Sequence, residues 1–110
     1  MLSPDHRLTD SDSFRSATRG RRCGSKTLVV HLATSEGTSP PRVGLVVSKA
    51  VGNAVARNRV KRRLRHLARE RVHMLPGSAV LVLRALPGSA EASYETLGRD
   101  LDRCLQRVMA

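Results

Sequence analysis

Between residues 49 and 71 the chain carries nine Lys or Arg against a single acid, Glu70, which accounts for +8 of the net +11 charge of a 110-residue protein. Most of these cations are arginines, whose planar guanidinium fork matches the oxygens of a phosphate. The run has helical period. Val60, Leu64, Leu67 and Ala68 fall at i, i+4, i+7 and i+8, one apolar stripe at about 100° per residue. Asn58, Arg62, Arg65 and Arg69 fall opposite the stripe, and Arg59, Lys61 and Arg63 flank it. Acids that would form i,i+4 pairs are nearly absent, so the cations repel one another, a state best tolerated beside a polyanion. The chemistry this pattern offers is phosphate binding.

Bond-making chemistry finds no comparable constellation. His6, His31, His66 and His73 have no metal-ligand spacing with one another or with Cys23 and Cys104. The acids are scattered, and the nearest pair, Asp100 and Asp102, points to different sides of a helix. No nucleophile motif surrounds a Ser or Thr, and no Gly-rich phosphate loop is present. Phe14 and Tyr94 are the sole large aromatics, too few to stack splayed bases, so binding leans on backbone phosphates and shape. Neutralising about five to eight phosphates of a duplex-like partner implies a log–log salt slope of about −4 to −7.

A pI near 11.5 points to nucleic acid or an anionic membrane surface. No apolar run approaches the roughly 18 residues of a membrane span. The N-terminus has no apolar signal core and carries Asp5, Asp10 and Asp12, so a cytoplasmic protein with reduced cysteines is expected. A membrane-surface helix is the weaker alternative, because the stripe on 54–73 is small and is needed for a core. A general RNA-binding or ribosome-associated protein is the stronger one.

The elements that must position the cations follow from period and punctuation. Residues 1–8 read as a flexible leader and 9–110 as one RNA-binding domain. Thr9 or Asp10 caps a short helix ending near Arg19, and Gly20 stops it. Arg19, Arg21 and Arg22 then form a basic knot, read equally as a solvated helix end or an RNA contact. Strands are expected at 26–33, 42–48 and 79–85, the first two as a hairpin with a loose loop. Asn53 caps the basic helix after a turn at Gly52, and Pro76-Gly77 closes that region. The strand–helix–strand order of 42–85 implies a parallel pair. Ser93 caps a last helix whose Leu97, Leu101, Cys104, Leu105 and Val108 form one apolar face. On the strands, Leu28, Val30, Leu32, Val43, Leu45, Val47, Leu81 and Leu83 share the face expected to pack under the basic helix. The other face turns polar once per strand, at His31, Ser48 and Arg84, and is expected to line a partly covered groove.

The series Lys49-Ala50-Val51-Gly52-Asn53-Ala54-Val55, Arg57-Asn58-Arg59, Lys61-Arg62 and Arg65 resembles the signature of the bacterial ribonuclease P protein. The likeness extends to Arg7-Leu8, Phe14 and residues 42–49. It implies an α+β fold of αβββαβα type, a single two-layer domain with a small mixed sheet. In it an N-terminal helix precedes the sheet, the basic helix forms a left-handed crossover, and a C-terminal helix follows. The left hand runs against the general right-handed rule. It also implies the protein subunit of a ribonucleoprotein that removes the 5′ leader of precursor tRNA. The catalyst there is the RNA subunit, with Mg²⁺ bound through that RNA; no cofactor, metal, membrane or obligate protein partner is expected for the protein itself. By this resemblance Arg57, Asn58, Arg59, Lys61, Arg62 and Arg65 would meet the catalytic RNA. Phe14, His31, Ser48, Lys49 and Arg84 would meet the leader. Thr18 stands where a second aromatic is frequent, and His31 where an aromatic is common, so stacking on the leader should be weaker and charge more important.

Overall fold

The computed structural model describes His6, Arg7, Arg15 and residues 19–110. Within these the elements are β1 (Arg21–Gly24), β2 (Leu28–Ala33), β3 (Arg42–Val46), α1 (Ala54–Arg71), β4 (Val80–Ala85) and α2 (Tyr94–Met109). Single-turn 3-10 segments at Lys49–Val51, Val72–Met74 and Pro87–Ala90 join them. The strands make one mixed sheet in the order β1-β2-β4-β3. The β1–β2 and β2–β4 pairs are antiparallel and the β3–β4 pair is parallel, as the strand–helix–strand pattern requires. The architecture is an α+β single domain. The expected first helix, with Phe14, lies outside the described residues except for Arg15, which is helical, and Arg19, in a turn. In the stretch expected as a leader, His6 Nδ1 donates to the Pro41 carbonyl at 2.6 Å and Arg7 bridges to Val43.

Two features of the sheet differ from expectation. Strands 26–33 and 42–48 do not form a hairpin, because β4 lies between β2 and β3. The central places go to the strands that bury most of their residues, β2 and β4; β3 takes an edge and starts with exposed Arg42. The hairpin partner of β2 is instead β1, a strand that sequence reasoning left inside the basic knot. Cys23 is its one apolar residue, so no alternation is visible without the structure. That thiol is 8% exposed in the core, and Arg22 and Gly24 therefore take the other face. Ser25 closes the turn. Its backbone N–H donates to the Leu28 carbonyl at 2.8 Å, and its hydroxyl accepts from the Leu28 N–H at 3.0 Å.

Leu28, Val30, Leu32, Val43, Val47, Leu81 and Leu83 form the floor of the core, with Leu45 packed against it. Sequence reasoning placed this floor under the basic helix, but the two helices share it. Helix α2 lies over β1 and β2, while α1 lies nearer β3 and the Pro87–Ala90 turn. The stripe of α2, Leu97, Leu101, Cys104, Leu105 and Val108, is fully buried and takes the larger part. Burying each Leu is worth about 1.5–3 kcal/mol. The helices close on each other at Gly98, where an added Cβ would stand 3.4 Å from Leu67 Cδ2. A forked pair then locks the end of α1 to the middle of α2. Arg71 Nε and Nη2 donate to the two oxygens of Asp102 at 2.6 and 3.2 Å, and Arg71 Nη1 donates to the Leu67 carbonyl. Asp100 faces the other way, accepting from Thr27 Oγ1 at 2.6 Å and Arg103 Nη2 at 3.2 Å. The two aspartates thus act on different sides of α2, both structurally.

Candidate nucleic-acid interface

Helix α1 begins where the sequence places it. Asn53 Oδ1 accepts from the Ala56 N–H at 2.9 Å. Gly52 before it has φ +153°, a backbone setting that L side chains rarely adopt, and a Cβ there would press within 3.1 Å of Ala56 Cβ. Four buried residues, Val60, Leu64, Leu67 and Ala68, fix the rotation of the helix. Asn58, Arg62, Arg65 and Arg69 are consequently exposed, with Arg57, Arg59, Lys61 and Arg63 half-buried along the flanks. A hollow of about 380 Å³ opens among Asn58, Lys61, Arg62, Arg65 and His66.

The acids that could neutralise this surface are gathered at its far end. Glu70 sits 3.8 Å from His66 and 3.9 Å from Arg71, and accepts from Tyr94 Oη at 3.0 Å. Burial, then the Glu70 hydrogen bond, pushes the Tyr94 phenol above its ordinary range. Among the described residues no carboxylate pairs with Arg57, Arg59, Lys61, Arg62 or Arg65. Two flanking arginines also serve the fold: Arg59 Nη2 donates to the Ala90 carbonyl at 3.3 Å and Arg63 Nη1 to the Ala92 carbonyl at 3.2 Å. The Nε atoms of Arg57 and Arg59 are buried without an acceptor.

The second face of the sheet holds the other expected site residues. His31 pairs with Arg22 on β1 and Val82 on β4, and Arg84 lies one pleat further along, opposite Val29 and Val46. Ser48 and Lys49 follow Val46 just beyond the end of β3. The strand stops at Val46, short of the expected 48, because Ser48 is spent on a turn: its hydroxyl accepts from the Ala50 N–H at 3.3 Å and caps Lys49–Val51. Lys49 and Arg84 are exposed, so Arg84, Ser48 and Lys49 gather at one end of the face. His31 lies deeper, 5% exposed, with both ring nitrogens unpartnered. Arg22 joins this face, and no signal in the sequence places it there, because its alternation with Cys23 becomes readable only once β1 is known to be a strand.

Burial lowers the His31 pKa from its ordinary 6.5, and the charges of Arg84 and Arg22 lower it further. The unfolded chain therefore takes up this proton at higher pH than the folded one. Stability from this group is full above about pH 6.5 and is lost as pH falls through the folded pKa. Replacing His31 by Phe is expected to shrink the drop in urea midpoint between pH 7.5 and pH 5. An unchanged drop would show that another group carries it.

Among the described residues no three His, Cys, Asp or Glu converge to hold a metal ion, and no helix is long and apolar enough to cross a membrane. A model of the Ribonuclease P family matches residues 2–109. A ribonuclease P protein component from a Nocardioides species is 66% identical over 113 residues, spanning 100% of this chain and 97% of that protein. That of Streptomyces avermitilis is 50% identical over 118 residues, spanning 99% and 96%. Among solved structures, the RNase P protein of Staphylococcus aureus superposes with a TM-score of 0.78 at 23% identity, covering 92% of this chain and 93% of that one. The RNase P protein of Thermotoga maritima gives 0.73 at 22% identity, covering 94% of each. These structures support the fold, and the family follows from the sequence matches: this chain belongs to the ribonuclease P family, as a protein component.

Proposed function

We propose that the chain works in the cytoplasm as the protein subunit of a ribonucleoprotein that removes the 5′ leader from precursor tRNA, binding two RNAs at once. The exposed face of α1 binds the catalytic RNA through Arg57, Asn58, Arg59, Lys61, Arg62 and Arg65. The second face of the sheet holds the leader through His31, Ser48, Lys49 and Arg84, and Phe14, outside the described residues, is assigned to the same contact. The observation that carries this reading is a row of cations on α1, Arg57, Arg59, Lys61, Arg62 and Arg65, with no carboxylate partner among the described residues, while the opposite face of the helix is committed to the core. The Mg²⁺ of the reaction enters with the RNA subunit, which supplies the catalytic centre; this chain supplies affinity and placement.

The test uses the protein reconstituted with a bacterial ribonuclease P RNA at low Mg²⁺. Lys49→Ala combined with Arg84→Ala is expected to weaken binding of precursor tRNA about tenfold, at a few tenths to 1 kcal/mol per exposed contact, and to leave mature tRNA unaffected. Equal losses on both substrates would favour a general RNA binder and remove the leader assignment.

A further inference from the structure

Of the two cations on β1, Arg21 and Arg22 have opposite fates. Arg21 shares the core-side face with Cys23, and its guanidinium donates to the Ala110 carbonyl. Arg22 points to the other face, is exposed, and has no hydrogen-bond or ion-pair partner among the described residues. Arg84 shares these properties. The register sets their separation. Arg22 and Arg84 stand two strands and one pleat apart, which at a strand spacing of about 4.8 Å and a rise of about 3.3 Å per residue places their Cα atoms on the order of 12 Å apart. His31 lies between them. No described strand puts an acid on this face; its other members are Gly24, Val29, Ala33, Val80, Val82, Arg42, Gly44 and Val46.

We propose that Arg22 is a further leader-binding residue, forming with Arg84 a two-point phosphate track across the sheet with the His31 imidazole beneath it. This rests on the assignment of the same face to the leader. Two guanidinium groups held on one face, with no acid on its described strands, suit phosphates of an extended single strand. The charge on each is felt at His31, which both arginines help to keep neutral. The neutral imidazole lies buried beneath the track, and both its nitrogens lack a hydrogen-bond partner among the described residues. Beside Arg22 the track is open, since a Cβ added at Gly24 would meet nothing within 4 Å. The contact extends the leader site from the β3–β4 end, where Lys49 and Arg84 sit, to the β1 edge. Among the described residues this face carries no Phe, Tyr or Trp, and the contact offers charge in their place.

The holoenzyme, reconstituted with a bacterial ribonuclease P RNA, is titrated with precursor and mature tRNA over a range of monovalent salt. Arg22→Ala is expected to weaken precursor binding about three- to fivefold and to make its log–log salt slope shallower by about 0.7, the contribution of one single-strand phosphate. Mature tRNA should bind as before, and Arg22→Lys, which keeps the charge, should restore most of the slope. Gly24→Glu puts a carboxylate into open space without a backbone clash and should cost precursor affinity at least as much. If Arg84→Ala lowers precursor affinity alone while Arg22→Ala and Gly24→Glu change neither affinity nor slope, the Arg22 assignment is overturned and the leader site stands. If Arg84→Ala and Lys49→Ala also leave precursor binding intact, the leader site itself is wrong and the track goes with it.

Discussion

Replacing Lys61, Arg62 and Arg65 together by alanine is expected to weaken binding to a ribonuclease P RNA by about 2 kcal/mol, roughly 30-fold, at a few tenths to 1 kcal/mol per exposed phosphate contact. The thermal midpoint should hold within about 2 °C, since exposed substitutions of this kind cost little. The structure decides which cations belong in this test. Arg59 holds the Ala90 carbonyl and Arg63 the Ala92 carbonyl, so their removal would loosen the Pro87–Ala90 turn and mix two effects. Lys61, Arg62 and Arg65 line the hollow on α1 and make no such bond. Direct binding titrations with paired melting curves give both numbers. A triple variant that binds RNA as tightly as the parent would mean that this face of α1 does not carry the interaction.

The converse experiment lies under the same helix. Leu64 is fully buried, directly beneath the cationic face, in a core shared by both helices and all four strands. Leu64→Ala should cost about 3 kcal/mol through lost transfer energy and the cavity left behind. That is a large share of the 5–15 kcal/mol that typically holds such a domain, and it should lower the thermal midpoint by on the order of 12 °C. RNA at about 100 times its dissociation constant should return about 2.7 kcal/mol by mass action. The variant should therefore melt early alone and recover most of its midpoint with RNA. Early melting that RNA does not correct would show that the change has damaged the binding surface as well as its floor.

The sequence was most readable where structure is local. The stripes of Val60, Leu64, Leu67 and Ala68 and of Leu97, Leu101, Cys104, Leu105 and Val108 are the buried faces of α1 and α2, and Asn53 and Ser93 cap them. Helical period and caps act over a few residues, so the chain states them directly. Strand partnership is set by residues far apart; there the reading held for the parallel β3–β4 pair and failed for the expected hairpin of β2 with β3. Nothing near residues 26–48 reveals that β4 will enter between β2 and β3. Nothing near Arg21 reveals a strand, because a four-residue edge strand with one apolar side chain carries no period. The strand faces were nevertheless sorted correctly, since alternation survives any choice of neighbour. Of the expected leader residues, His31 and Arg84 lie on one face of adjacent strands. Ser48 looked like a strand residue and is a turn cap, a role that depends on where β3 stops.

The short connection from Ser48 to Asn53 carries two side-chain caps and one glycine with an unusual backbone angle, and it joins the end of the sheet face proposed for the leader directly to the start of α1. Such a joint works as a spacer: the buried stripe of α1 sets which way its cations face, and the joint sets how far they stand from Ser48 and Lys49, so lengthening it by a few residues would leave both surfaces intact and loosen the distance between them.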